Sequence, residues 1–294
     1  MGIGYHELQF LRYARKRNPF GAVATIGRLG LFVREPQLRK LIDLPSNYQQ
    51  KQFCEHLLLE CFSATSVESY DNSEYEKATH IVDMNSKLPS DHRTYDTIID
   101  FGSLEHIYNV PQALLNISDL CNDGGAILHA LPASNYCGHG FFQFSPELFF
   151  SVYSNANGYT ETEVFIADLS RESIWFQVER PENGQRAEVT SATPLIVLCR
   201  TVKSKTFSHE NVQQSDYKHV WDLHTSGEDT AVRKGNGIVE KIFAAGKRVE
   251  FPVGLYRLLD RYRMHTRLKG ETALSNKNRH LTKRRISDLL RGAR

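Results

Sequence analysis

Tyr95-Asp96-Thr97-Ile98-Ile99-Asp100-Phe101-Gly102-Ser103-Leu104-Glu105-His106-Ile107 decides the fold, together with the turn Asp123-Gly124-Gly125 and the run Ala126-Ile127-Leu128-His129-Ala130-Leu131. Both apolar runs are short and bounded by turn residues, the pattern of strands covered on both faces. Between them, Ala113, Leu114, Ile117 and Leu120 recur at helical spacing within 111–121. Two strands joined through a helix imply a parallel pair, because a parallel connection needs a crossover.

The alternation continues in both directions. Ala22–Ile26, Ser66–Tyr70 and Ile81-Val82 read as earlier strands, and Thr162–Ile166 and Leu195–Cys199 as later ones. Helices are expected over 7–17, closed by Asn18-Pro19, over 48–62, and from Ser145-Pro146-Glu147 to Gly158, with Ser145 as N-cap and Pro146 at N1. The stretch between the two late strands is polar and irregular. This pattern predicts an α/β fold: a mostly parallel sheet with helices on both faces.

The chain has 294 residues, with 36 Lys+Arg against 34 Asp+Glu and 40% hydrophobic residues. That composition argues against disorder as the main state and suits one or two domains. No run reaches the ~18 apolar residues of a spanning helix, and Met1-Gly2-Ile3-Gly4-Tyr5-His6 lacks both a signal-peptide pattern and the Ser/Thr of a myristoylation signal. Cys54, Cys61, Cys121, Cys137 and Cys199 are odd in number, with no C-x-x-C pair. They point to a reducing, cytoplasmic compartment. The net charge of +2 hides an asymmetry. Residues 238–294 hold 15 Lys+Arg and 5 Asp+Glu, a local +10, which leaves −8 for the rest. Four segments are expected: an N-terminal helix (1–19), an α/β domain (20–202), a polar linker (203–237) and a basic, mostly helical extension (238–294). Val239, Ile242 and Phe243 suggest one helix of that extension, and Leu255, Leu258, Leu259 and Tyr262 another.

In open α/β sheets, ligands bind beyond the carboxyl ends of the strands. Those ends carry Gly27 and Gly30, Asp71, Asp83 with Met84, Asp100-Phe101-Gly102, and Pro132 leading to His139. A carboxylate just past a strand can accept two hydrogen bonds from a ribose diol, and an acid past the next strand can reach an adenine amino group. The set is nucleoside-shaped; surface acids at loop starts are the plainer alternative.

At these residues the chain resembles the class I S-adenosylmethionine-dependent methyltransferases. The resemblance rests on the 95–107 run with its Leu104-Glu105-His106 and on Asp123-Gly124-Gly125. It covers roughly residues 20–202. The run from Asn135-Tyr136-Cys137-Gly138-His139-Gly140 to Ser145-Pro146-Glu147 is similar to a bacterial small-molecule and saccharide subgroup. The resemblance implies a Rossmann-like sheet of seven strands ending in an antiparallel hairpin. It also implies S-adenosylmethionine as cofactor, with S-adenosylhomocysteine as product. Gly27 and Gly30 would lie under the methionine portion, Asp71 would hold the ribose, Asp83 and Met84 would flank the adenine, and Asp100, Phe101, Gly102 and Ser103 would line the transfer side. The first motif departs from the family pattern: its acid position holds Thr25, its later glycine positions hold Leu29 and Leu31, and Gly30 is out of register.

Transfer to a hydroxyl benefits from a general base, and histidine suits neutral pH. His139 and His106, with Glu105, are the catalytic candidates; His106 has the alternative reading of a histidine packed after its strand. Phe141 and Phe142 are expected to wall the acceptor pocket, and Phe149 and Phe150 to lie in the core. Some relatives hold a divalent cation with E-x-x-E-H. Here Glu105 and His106 match its last two residues, Gly102 replaces its first Glu, and His139 could supply a missing ligand; no metal ligand is assigned on this basis. The expected activity is O-methylation of a small molecule or saccharide. A binding scaffold without catalysis and a nucleic-acid methyltransferase using the basic tail are the alternatives. Self-association, nucleic acid and an anionic membrane surface are candidate uses of that tail.

Overall fold

The computed structural model describes residues 2–205, 212–226, 261–262 and 267–292. The helices expected around 239–243 and 255–262 fall almost wholly outside the described residues.

The described elements, in chain order, are β1 (Gly2–Ile3), α1 (Tyr5–Arg17), β2 (Gly21–Ile26), β3 (Gly30–Leu31), α2 (Glu35–Leu41), α3 (Glu55–Cys61), β4 (Ala64–Asp71), β5 (His80–Ile81), β6 (Tyr95–Phe101), α4 (Val110–Leu120), β7 (Cys121–Ser134), α5 (Pro146–Val152), β8 (Tyr159–Asp168), β9 (Ile174–Val178), β10 (Leu195–Lys203), α6 (Ser215–Ser226), β11 (Leu281–Arg285) and α7 (Ile286–Arg291). A nine-stranded sheet runs β11-β9-β8-β10-β7-β6-β2-β4-β5, and β1 and β3 form a separate two-stranded ribbon. β5, β4, β2, β6 and β7 are mutually parallel; β10, β8, β9 and β11 pair antiparallel.

The quoted run becomes β6, with Ile98 and Ile99 on opposite faces. Ile98 joins a core with Ile127, Ile117 and Phe149 beneath α4 and α5. Ile99 joins a second core with Leu128, Phe10 and Leu58 beneath α1 and α3. The expected helices on both faces are therefore present, each covering its own apolar layer. α4 starts at Asn109, whose side chain accepts from Gln112 N at 3.4 Å, with Pro111 in the first turn. The Asp123-Gly124-Gly125 turn is a bulge inside β7: register shifts between Tyr95↔Cys121 and Thr97↔Ala126. A Cβ on Gly125 would lie 2.8 Å from both Asn122 O and Cys121 Sγ.

Several expectations need correction. The sheet has nine strands, not seven, because β9 and β11 extend its antiparallel edge. β9 lies in the stretch read as irregular; its strand character comes from pairing, with Trp175 and Phe176 buried against β8. Residues 281–285 of the basic segment, expected to be helical, form β11: Leu281 is buried, while Lys283, Arg284 and Arg285 are exposed. Arg284 Nε donates to Gln177 Oε1 at 2.9 Å. Ser145 makes no side-chain cap, and α5 stops at Val152, short of the expected Gly158. The helix expected over 48–62 occupies only 55–61.

Candidate functional site

The parallel strands end together, and the turns beyond them form two neighbouring cavities. The turn Gly102–His106 after β6 stands between them. Asp100 fixes this turn: its Oδ1 accepts from Ser103 N at 3.2 Å and Leu104 N at 3.3 Å. Ser103 Oγ also donates to Ile26 O at the end of β2.

The first cavity has a volume of about 150 Å³ and is lined by Gly27, Tyr70, Asp71, Asp83, Met84, Ser103, His106 and Ile107, among others. The expected nucleoside residues therefore meet in one cleft. Gly27 has φ of +74° and donates its N–H to Tyr70 O at 2.7 Å, a tight turn that suits glycine. Thr25, at the family's acid position, donates its hydroxyl to Gly27 O at 2.8 Å and closes the same turn from below. Asp71 is partly exposed, and its Oδ1 accepts from Ser73 N at 3.2 Å. Asp83 is exposed, accepting from Asn85 N at 2.9 Å. Met84 is buried and gives the floor an apolar surface. Two carboxylates, an apolar floor and a tight glycine turn fit the nucleoside portion of S-adenosylmethionine.

Four expected cofactor residues, Gly30, Asp100, Phe101 and Gly102, do not line this cleft. Gly30 lies in the β1–β3 ribbon, paired with Gly2, and lines neither cavity, because the 28–33 segment swings out to bury Leu29 and Leu31. Asp100 is fully buried and committed: its Oδ2 lies 2.7 Å from His129 Nδ1, and His129 Nε2 lies 2.6 Å from Tyr153 Oη. A carboxylate only accepts, so His129 donates from Nδ1 to Asp100 and uses Nε2 for its hydrogen bond with the Tyr153 hydroxyl. Burial holds the Tyr153 hydroxyl well above its ordinary pKa. Asp100 thus supports the turn from beneath and does not face a ligand.

The second cavity, about 220 Å³, is lined by Gly2, Glu7, Phe32, Phe101, Gly102, Glu105, Ala130, Leu131, Pro132, Tyr136, His139 and Ile196. Phe101 and Gly102 therefore belong to this cavity, on the far side of the turn from Asp71. The sequence reading missed Glu7, Phe32, Tyr136 and the supporting His129. Only His129 had a signal, a polar residue in the middle of an apolar strand; the others arrive through long-range folding of the N-terminal segment and the 135–143 loop. A larger hollow of about 470 Å³ lies against Ser170, Thr190, Thr193 and Lys269, and it holds none of the expected residues.

The three catalytic candidates come together. Glu105 Oε1 lies 3.5 Å from His139 Nε2 and 3.9 Å from His106 Nε2, and the two imidazoles meet edge-on with centroids 5.2 Å apart. Glu105 is 1% exposed, whereas the His106 and His139 side chains are 45% and 52% exposed. His106 is therefore not a core histidine. The loop carrying His139 is pinned to Glu105: Phe141 N donates to Glu105 O at 2.7 Å. Burial, with Asp100 nearby, pushes the Glu105 carboxyl up to about 7. Burial and the neighbouring His139 lower the His106 pKa. Phe141 and Phe142, expected to wall the acceptor pocket, do not line the second cavity: Phe141 is exposed against Tyr108, and Phe142 packs toward the core.

A family profile described as "methyltransferase domain" matches residues 22–200. The chain belongs to this family, the class I S-adenosylmethionine-dependent methyltransferases. No curated protein sequence matches it. Among solved structures, it is similar to a methyltransferase from Thermotoga maritima described as a possible histamine N-methyltransferase (14% identity, 68% of this chain and 89% of that one, TM-score 0.39). It is also similar to the N-methyltransferase NodS from Bradyrhizobium japonicum with S-adenosyl-L-homocysteine (12%, 68% and 88%, TM-score 0.39). A third is the O-methyltransferase of a trans-AT PKS multienzyme from Brevibacillus brevis, also with S-adenosyl-L-homocysteine (11%, 77% and 85%, TM-score 0.39). No helix among the described residues is long and apolar enough to cross a membrane.

Proposed function

We propose that this chain transfers the methyl group of S-adenosylmethionine to an oxygen of a small hydroxyl-bearing acceptor, saccharides included. The observation that carries this reading is the back-to-back arrangement of two cavities across the 102–106 turn, with Glu105, His106 and His139 at their junction. The cofactor nucleoside occupies the cleft of Gly27, Asp71, Asp83 and Met84. The acceptor occupies the cavity of Phe101, Gly102, Pro132, Tyr136 and His139. Its oxygen attacks the methyl carbon in line with the departing sulfur. The sulfonium becomes a neutral thioether, and the hydroxyl proton passes to His139. Positioning supplies most of the acceleration; the imidazole adds proton transfer near neutral pH.

Calorimetry with S-adenosylhomocysteine tests the cleft. Binding is expected, and Asp71→Ala should weaken it about tenfold to a hundredfold through loss of charge-assisted hydrogen bonds worth ~1.5–3 kcal/mol. No binding, or unchanged affinity in the variant, overturns the cofactor assignment. A panel of labelled transfers to alcohols, amines and sugars then tests the oxygen preference.

A further inference from the structure

Within the junction, one ligating atom from each of Glu105, His106 and His139 lies within 4.8 Å of the others. Glu105 Oε2 is buried and has no hydrogen-bond partner. A carboxylate oxygen withdrawn from water with nothing to accept from is costly, so such atoms are rare in folded proteins. The other oxygen of the same carboxylate, Oε1, lies 3.5 and 3.9 Å from the His139 and His106 Nε2 atoms, and both imidazole side chains are about half exposed.

We propose that Glu105, His106 and His139 bind a divalent transition-metal ion. Bond lengths near 2.0–2.2 Å to imidazole nitrogen and carboxylate oxygen place neighbouring ligand atoms roughly 3–3.5 Å apart. The observed 3.5 and 3.9 Å need only small side-chain rotations to close around an ion. Two imidazoles and one carboxylate favour manganese, iron, cobalt, nickel or zinc over magnesium or calcium, which prefer oxygen. Three protein ligands leave coordination positions open, and the neighbouring space is the cavity of Gly102, Pro132 and Tyr136.

An acceptor oxygen placed in an open position would be acidified by the ion. Its proton would leave to water, and the bound alkoxide would attack the sulfonium methyl. The ion would then take over the role given above to the His139 imidazole. This chemical role rests on the methyl-transfer reading; the binding of the ion does not.

The test uses the untagged full chain, stripped with chelator and dialysed. Calorimetry with Zn²⁺ and Mn²⁺, and visible absorption with Co²⁺, read the site without any turnover. One ion per chain is expected, with affinity falling at least about tenfold in His139→Ala and in Glu105→Gln, the scale of loss for disturbed metal shells. Far-ultraviolet circular dichroism checks that Glu105→Gln is folded; the exposed His139 and His106 provide variants that do not disturb the core. Absence of binding, or binding unchanged in His106→Ala and His139→Ala, overturns the proposal. Metal binding without S-adenosylhomocysteine binding would sink the methyl-transfer reading while leaving this site standing. Transfer that persists unchanged in chelator would remove the ion from the reaction.

Discussion

Replacing His129 with leucine, a side chain of similar volume, should cost the protein about 3–5 kcal/mol. His129 is fully buried between Asp100 and Tyr153, at 2.7 and 2.6 Å. The substitution removes a charge-assisted hydrogen bond to Asp100, worth ~1.5–3 kcal/mol, and strands the buried Tyr153 hydroxyl, worth ~1–3 kcal/mol. Asp100 would keep its bonds from Ser103 N and Leu104 N. Urea unfolding followed by circular dichroism is the assay: the midpoint should fall with an unchanged slope. A second substitution separates the two costs. His129→Leu with Tyr153→Phe removes the stranded hydroxyl and should recover ~1–3 kcal/mol of the loss. A single-variant loss below ~1 kcal/mol, or a double variant no more stable than the single, would refute a buried Asp100–His129–Tyr153 relay.

Gly140 and Gly138 give a paired comparison. Both have positive φ, yet a Cβ on Gly140 would meet Glu105 O at 2.8 Å, whereas one on Gly138 meets nothing within 4 Å. Gly138→Ala should cost about 1 kcal/mol from backbone strain alone; Gly140→Ala should also displace Glu105 and cut turnover at least tenfold, measured as kcat beside Tm. Asp83→Ala should weaken S-adenosylhomocysteine less than Asp71→Ala, because Asp83 is the more exposed of the two and its Oδ1 accepts two bonds from Asn85, against one from Ser73 N to Asp71; calorimetry ranks them. Stability should fall on acidification through buried His6. Its Nδ1 accepts from Trp175 Nε1 at 3.0 Å, and burial lowers its pKa to about 4. The unfolded chain protonates near 6.5 and the folded one near 4, so this loss develops between those values and reaches at most about 3 kcal/mol. Urea midpoints from pH 7 to 4 should flatten in a stable His6→Gln variant.

The parallel half of the sheet was legible because β2, β6 and β7 are apolar runs long enough to show their period, with turn residues at their ends. β11 was not, since a strand at a sheet edge needs pairing more than pattern: Leu281-Thr282-Lys283-Arg284-Arg285 has one buried side chain in five. Asp71, Asp83, Met84 and Gly27 were legible for the cleft because they sit where consecutive strands end. Gly30 misled, since spacing alone cannot tell a cofactor turn from a ribbon paired with the N-terminus. Asp100 misled in another way: an acid near the end of a strand serves a ligand or a buried histidine according to its neighbour, and Asp100↔His129 register decides it.

Local pattern therefore determined the alternating strands and helices, the buried faces and the strand-end acids, because burial period and turn chemistry act over a few residues. Only tertiary structure brought Glu105 and His106 to His139 across the 135–143 loop, sent Phe101 and Gly102 to one side of the turn and Asp71 to the other, and turned Asp100 inward. Those outcomes depend on which distant side chain completes each hydrogen bond, and residue spacing carries no information about that.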